Sequence, residues 1–135
     1  MKRIMLLLTC LLALGWTNNA LCSSFDSQVG LLKYEISKLD KIDNQEESEL
    51  RKSMIEANIE YVSGSIRLKI KQLEEKLEQI KLKIQNCNSY SNGNAESFNA
   101  INEKLWKKFA STQKKIESLN DLLFVIEQCK FRLKE

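Results

Sequence analysis

The stretch Ile66–Cys87, IRLKIKQLEEKLEQIKLKIQNC, decides how the rest of the chain must fold. Its positions Ile66, Ile70, Leu73, Leu77, Ile80, Ile84 and Cys87 alternate steps of four and three, with lysine, glutamate and glutamine filling most places between. Residues at that spacing share one side of a helix, and a stripe of this kind demands a partner helix because no isolated helix hides it. The composition supplies partners readily. The 135-residue chain has no proline and only four glycines, at 15, 30, 64 and 93. Leucine, isoleucine, lysine, glutamate and glutamine dominate, and little is left to interrupt helices.

Working back from Ile66, the apolar residues Leu50, Met54, Ile55, Ile59 and Val62 lead into the quoted stretch. The consecutive steps of four from Val62 to Ile66 to Ile70 form a stutter, which locally relaxes a supercoil. It lies beside Ser63-Gly64-Ser65, the weakest helical point, since glycine costs about 1 kcal/mol against alanine. A continuous helix is expected nonetheless. Farther back, Asp43 followed three residues later by Glu46 reads as a capping box and a helix restart. Before it, Leu32, Ile36, Leu39 and Ile42 define one face of a shorter helix, with Ser24 or Asp26 as its cap.

Working forward, the segment at about 86–94 (NCNSYSNGN) is rich in turn-forming residues and has no period, so it is expected to be a loop, with Asn94 capping a last helix. That helix should run from about Ala95 to near Leu133 on the seam Phe98, Ile101, Leu105, Phe109, Thr112, Ile116, Leu119, Leu123 and Ile126. Leu122, Phe124 and Val125 widen its apolar surface. Two long helices joined by a short loop lie antiparallel. The expected fold is therefore all-α, a long antiparallel helical hairpin or coiled coil with a shorter N-terminal helix packed on it. Residues 23–135 form one domain.

The first 22 residues read as a secretory signal peptide. Lys2 and Arg3 precede the mainly apolar run from Ile4 to Leu14, a more polar exit follows, and Ala20 and Cys22 are the small residues that a cut before Ser23 requires. The run is well short of the ~20 residues that span a bilayer. A retained anchor, or acylation at Cys22, are the alternatives. Leu21 fits acylation poorly, because such sites want a small residue there. Removing residues 1–22 takes away two bases and no acid, lowering the formal charge from +3 to +1. Bulk charge thus gives no reason to invoke nucleic acid or an anionic membrane.

In a secreted chain, Cys87 and Cys129 are the candidate disulfide. An antiparallel hairpin opposes it. Cys87 lies by the loop and Cys129 more than 30 residues along the departing helix, about 50 Å at ~1.5 Å per residue, against a Cα separation limit of ~7 Å. A fold-back near Ala110-Ser111-Thr112 would reconcile the two. Otherwise each cysteine bridges another chain, or both stay reduced as small buried hydrophobes. If cleavage follows Ala20 instead, Cys22 survives and is a further candidate.

The absence of histidine removes the usual general base, the usual triad and the commonest zinc ligand together. No CxxC pair and no glycine-rich phosphate loop occurs. Glu74, Glu75 and Glu78 alternate with Lys71, Lys76 and Lys81 as a solvated helix face. No catalytic, metal or cofactor residue is therefore assigned, and the chain is expected not to be an enzyme. Trp106, flanked by Lys107 and Lys108, is the candidate interfacial cluster. The plainer reading has Trp106 widening the apolar face while the lysine stems run alongside it.

From Leu50 to Leu133 the heptads resemble the coiled-coil stalks that precede head domains in secreted lectins and fibrinogen-related proteins. That resemblance implies oligomerisation and carries nothing about ligand binding. The expected function is a secreted, non-enzymatic interaction or assembly module. Its partner would be itself or another helical chain, with a membrane or lipid surface as the alternative.

Overall fold

Asn44 sets where the longest helix begins. In the computed structural model, which describes residues 21–89 and 95–134, its Oδ1 accepts the Glu46 N–H at 3.0 Å and its carbonyl accepts the Ser48 N–H at 2.9 Å. These are the two bonds of an N-cap, one satisfying an orphan donor and one opening the helical ladder. Helix α1 spans Leu21–Leu39, α2 spans Gln45–Ser89 and α3 spans Ala95–Lys134. No strand occurs among the described residues. The fold is all-α, a long antiparallel helical pair with the shorter α1 packed on it.

Several boundaries differ from expectation. The cap is Asn44 rather than Asp43, because it is the Asn44 side chain that reaches the N–H two residues on. Helix α1 begins at Leu21, so Ser24 and Asp26 lie inside it and do not cap it. Helix α2 continues through Asn86–Ser89 into the expected loop. Asparagine and serine are unfavourable in a helix interior, but they are easily held in a last turn whose carbonyls lack helical partners anyway. Residues 90–94, with Tyr90 and the proposed Asn94 cap, lie outside the described residues, as does most of the expected signal peptide. Gly64 does not interrupt α2, and its φ is not positive.

Two compact units form, divided at 66/67 on α2 and at 120/121 on α3. The first contains α1, the start of α2 and the end of α3. Its core joins Gln28, Val29 and Leu32 of α1 to Ile55, Ile59, Val62, Ser63 and Ile66 of α2 and to Ile126, Cys129 and Leu133 of α3, all buried. Ile59, Ile66 and Ile126 are essentially sealed, and each contributes about 1.5–3 kcal/mol by leaving water. Here α2 and α3 run oppositely, the early Glu60 meeting the late Lys130 at 2.9 Å between Oε1 and Nζ. The face of α1 sits a turn earlier than expected. Leu32 is buried, but Ile36, Leu39 and Ile42 are only half-buried.

The second unit pairs the end of α2 with the start of α3, again antiparallel. Ile70, Leu73, Ile80 and Ile84 are buried on α2, and Thr112 and Leu119 on α3. Leu77, Leu105, Phe109 and Ile116 are half-buried. Two helices cover each other less completely than three, and Ile101 is 50% exposed.

Candidate interaction surface

The quoted seam is the inner face of α2. Ile66 belongs to the three-helix unit, while Ile70, Leu73, Leu77, Ile80 and Ile84 belong to the two-helix unit. All are buried except the half-buried Leu77. The stutter leaves no gap, since Val62, Ile66 and Ile70 are each buried. The seam residues are thus occupied within this one chain.

The cysteines do not pair. Both are free, Cys87 half-buried in the two-helix unit and Cys129 buried in the three-helix unit. Helix α3 is continuous from Ala95 to Lys134, so the fold-back at Ala110–Thr112 that an internal bridge needs does not occur. Burial pushes the Cys129 thiol above its ordinary pKa, with the positive charges of Lys33 and Arg132 drawing it partly back.

Trp106 lies on the outside of α3, 51% exposed, with its ring edge-to-face on Phe109 at a centroid distance of 5.5 Å. Lys107 Nζ is held 3.0 Å from Glu103 Oε1. Lys108 is exposed, and its carbonyl accepts a bond from Thr112 Oγ1 at 2.8 Å. Each of the three candidate interfacial residues is therefore exposed, but consecutive helical positions fan round α3 and do not share one face.

Other large apolar side chains are just as open. Leu50, Tyr61, Leu68 and Leu82 of α2 are 48%, 59%, 59% and 56% exposed, and Phe124 and Phe131 of α3 reach 65% and 69%. Phe124 points outward, not into the widened core face that its neighbours suggested. On α1, Tyr34 carries the Lys38 ammonium 4.3 Å above its ring. Leu50, Met54, Ala57, Tyr61 and Gly64 recur at steps of four and three, a second stripe offset from the buried one. Its signal is present in the sequence but interleaved with the stronger run Ile55, Ile59, Val62 and Ile66.

Between α1 and α2, Leu31, Leu32, Met54 and Ile55, with Glu35, Arg51 and Asn58 at its edge, line a mainly apolar niche of about 30 Å³, room for roughly one water. Among the described residues no group of three or more His, Cys, Asp or Glu is placed to hold a metal ion, and no helix is long and apolar enough to cross a membrane. No protein-family model, curated protein or solved structure matches the chain. The likeness to lectin and fibrinogen-related stalks accordingly rests on the heptads alone.

Proposed function

We propose that the chain is a secreted, non-enzymatic helical protein that works as an interaction or assembly module, docking helix faces against a protein partner. The observation that carries this reading is the second apolar face of α2. Tyr61 and Leu68 stand more than half exposed on a helix whose opposite side is already packed. Isolated exposed hydrophobes are ordinary, but a run of them at helical spacing marks a surface for another helix. The absence of histidine and of any recognisable nucleophile–base pair supports a non-catalytic role. The leader-like first 22 residues support secretion.

The test is to express the full-length chain in a secreting cell and fractionate the medium by size with light scattering. The expected result is a chain that begins at Ser23 and migrates in a complex larger than its own mass. A chain retained inside the cell, or present in the medium only as a free monomer, would overturn the reading.

A second reading has one specific observation behind it. Trp106, half exposed beside Lys107 and Lys108, has the chemistry of a side chain that settles at a lipid headgroup layer. Co-sedimentation with vesicles of anionic and of zwitterionic lipid tests it. A Trp106→Ala variant that binds as well as the parent dismisses it.

A further inference from the structure

We infer that one side of the two-helix unit is a docking face for a linear sulfated polysaccharide, held by Lys69, Lys76 and Lys83 of α2 and Lys104, Lys108 and Lys115 of α3. The choice of polyanion rests on the secretion reading above, and the face itself stands on the geometry of this unit. Total charge conceals it. Residues 67–120 carry eleven bases and six acids, a formal +5, within a chain of only +3.

Helical period and helix direction bring the two rows of lysine together. Lys69, Lys76 and Lys83 are seven residues apart, so they lie within about 40° of one another, about a quarter turn from the buried Ile70, Leu73, Ile80 and Ile84. Lys104, Lys108 and Lys115 also fall within about 40°. They stand about a quarter turn, in the same rotational sense, from the inner face of Leu105, Phe109, Thr112, Ile116 and Leu119. In an antiparallel pair, flanks turned in the same sense lie on the same side. Five of the six lysines are exposed and Lys69 is half-buried. The acids lie elsewhere. Glu74 and Glu78 occupy the other flank of α2, Glu75 its outer back, and Glu103 and Glu117 the far sides of α3. The bases near them are tied to them, Lys81 to Glu78 and Lys107 to Glu103, each at 3.0 Å. None of the six lysines is in such a pair among the described residues.

The shape and chemistry of this side select its occupant. The α2 row alone runs for about 20 Å at ~1.5 Å per residue, so a small anion covers a fraction of it and a linear chain of charges follows it. Lysine is a compact point charge that suits separate sulfate groups. The planar fork with which arginine grips phosphate is missing, since Arg67, the only arginine in the unit, lies on the other flank. Base stacking and headgroup anchoring both call for an aromatic among the bases, yet Trp106 stands on the opposite side with Glu117. Ile101, 50% exposed, is the one open large apolar side chain beside the lysines among the described residues.

The experiment titrates the full chain with a short heparin fragment, and in parallel with its desulfated form, a DNA duplex and vesicles of anionic lipid, at physiological and at raised salt. The heparin fragment should bind most tightly, the desulfated form should not bind, and raised salt should loosen the complex steeply. Replacing Lys76, Lys83, Lys108 and Lys115 together by glutamine should weaken binding at least about tenfold. Replacing Lys71, Lys81, Lys107 and Lys114 removes the same charge from other sides and should cost less than about threefold. All eight positions are exposed, and circular dichroism checks that helicity is kept. Equal losses in the two variants would mean that net charge alone attracts the polyanion, which overturns the face. Tighter binding of DNA or of vesicles overturns the inference by assigning the side to another polyanion, and so does a lack of heparin binding at physiological salt. The secretion reading fails separately. A chain retained in the cell that still binds heparin through these lysines overturns that reading alone, and a secreted chain that does not bind overturns only the inference.

Discussion

Gln28 is the residue least at ease in its surroundings. It is 5% exposed on the core face of α1, and its Oε1 is buried without a hydrogen-bond partner. An unsatisfied buried acceptor costs about 1–3 kcal/mol, so Gln28→Met, similar in size and apolar, should raise the urea midpoint by a corresponding amount. An unchanged or lower midpoint would show that the amide has a role the packing does not reveal. Cys129 makes a second test. Because burial disfavours its thiolate, the folded chain holds that proton to higher pH than the unfolded chain does. The stability this provides is complete below the ordinary thiol pKa and is lost as pH rises through the raised value. Stability should therefore fall more steeply above pH ~9 in the parent than in Cys129→Ala, and equal slopes would refute the argument. Residues of this kind explain what sequence pattern misses. The spacing of Ile66 to Ile84 reveals an inner face because each member is apolar, whereas Gln28 enters the core on position alone. Cys129 likewise extends the buried run Leu119, Ile126 and Leu133, but its residue type suggested a bridge.

At the scale of elements, the three helices follow from apolar period and the lack of breakers, and their ends follow from local hydrogen bonding. Asp43-x-x-Glu46 located the restart to within one residue because two capping-competent residues, Asp43 and Asn44, stand side by side there. Only geometry separates Asp43 from Asn44. Asn44→Ala removes the acceptor for the Glu46 N–H and should lower stability by about 0.5–2 kcal/mol, whereas Asp43→Ala should change it by less than about 0.5 kcal/mol. Thermal melts of the two variants decide between the caps. The interaction surface was less legible than the helices carrying it. Steps of four and three serve two faces of α2 at once, and a reading that groups Leu50 and Met54 with Ile55 merges them. Burial separates the two, since Ile55 is 3% exposed and Leu50 48%.

At the scale of the molecule, the two units differ in how completely their helices cover one another. The three-helix unit holds the sealed residues Ile59, Val62, Ile66 and Ile126, while in the two-helix unit only Leu119 is sealed to that degree among the described residues and Leu77, Leu105, Phe109 and Ile116 of its inner faces stay half-buried. Local opening is easiest where little apolar surface is buried. Amide exchange should therefore be slowest at residues 55–66 and 122–133 and measurably faster at 70–84 and 101–119. Uniform protection along α2 and α3 would mean that the chain opens only as a whole. The seam spacing alone does not disclose this inequality, because the buried stripe of α2 continues unchanged across it. It depends on where α1 lies, and α1 is too short to reach beyond its own unit.

The turn between α1 and α2 decides where a protease would first cut the folded chain. Residues 40–44 are the only non-helical stretch among the described residues, and Lys41, its second residue, is exposed. A protease needs several residues of extended backbone, which a packed helix denies it. Between Lys83 and Lys104 the chain contains no basic residue at all, so trypsin has no site in the connection between α2 and α3. Brief digestion of the folded chain should therefore nick it after Lys41 first. The cut would free α1 from its tether while Val29 and Leu32 still hold it against its neighbours. A single trypsin cut would then turn α1 from a built-in part of the bundle into a bound peptide that dilution can remove.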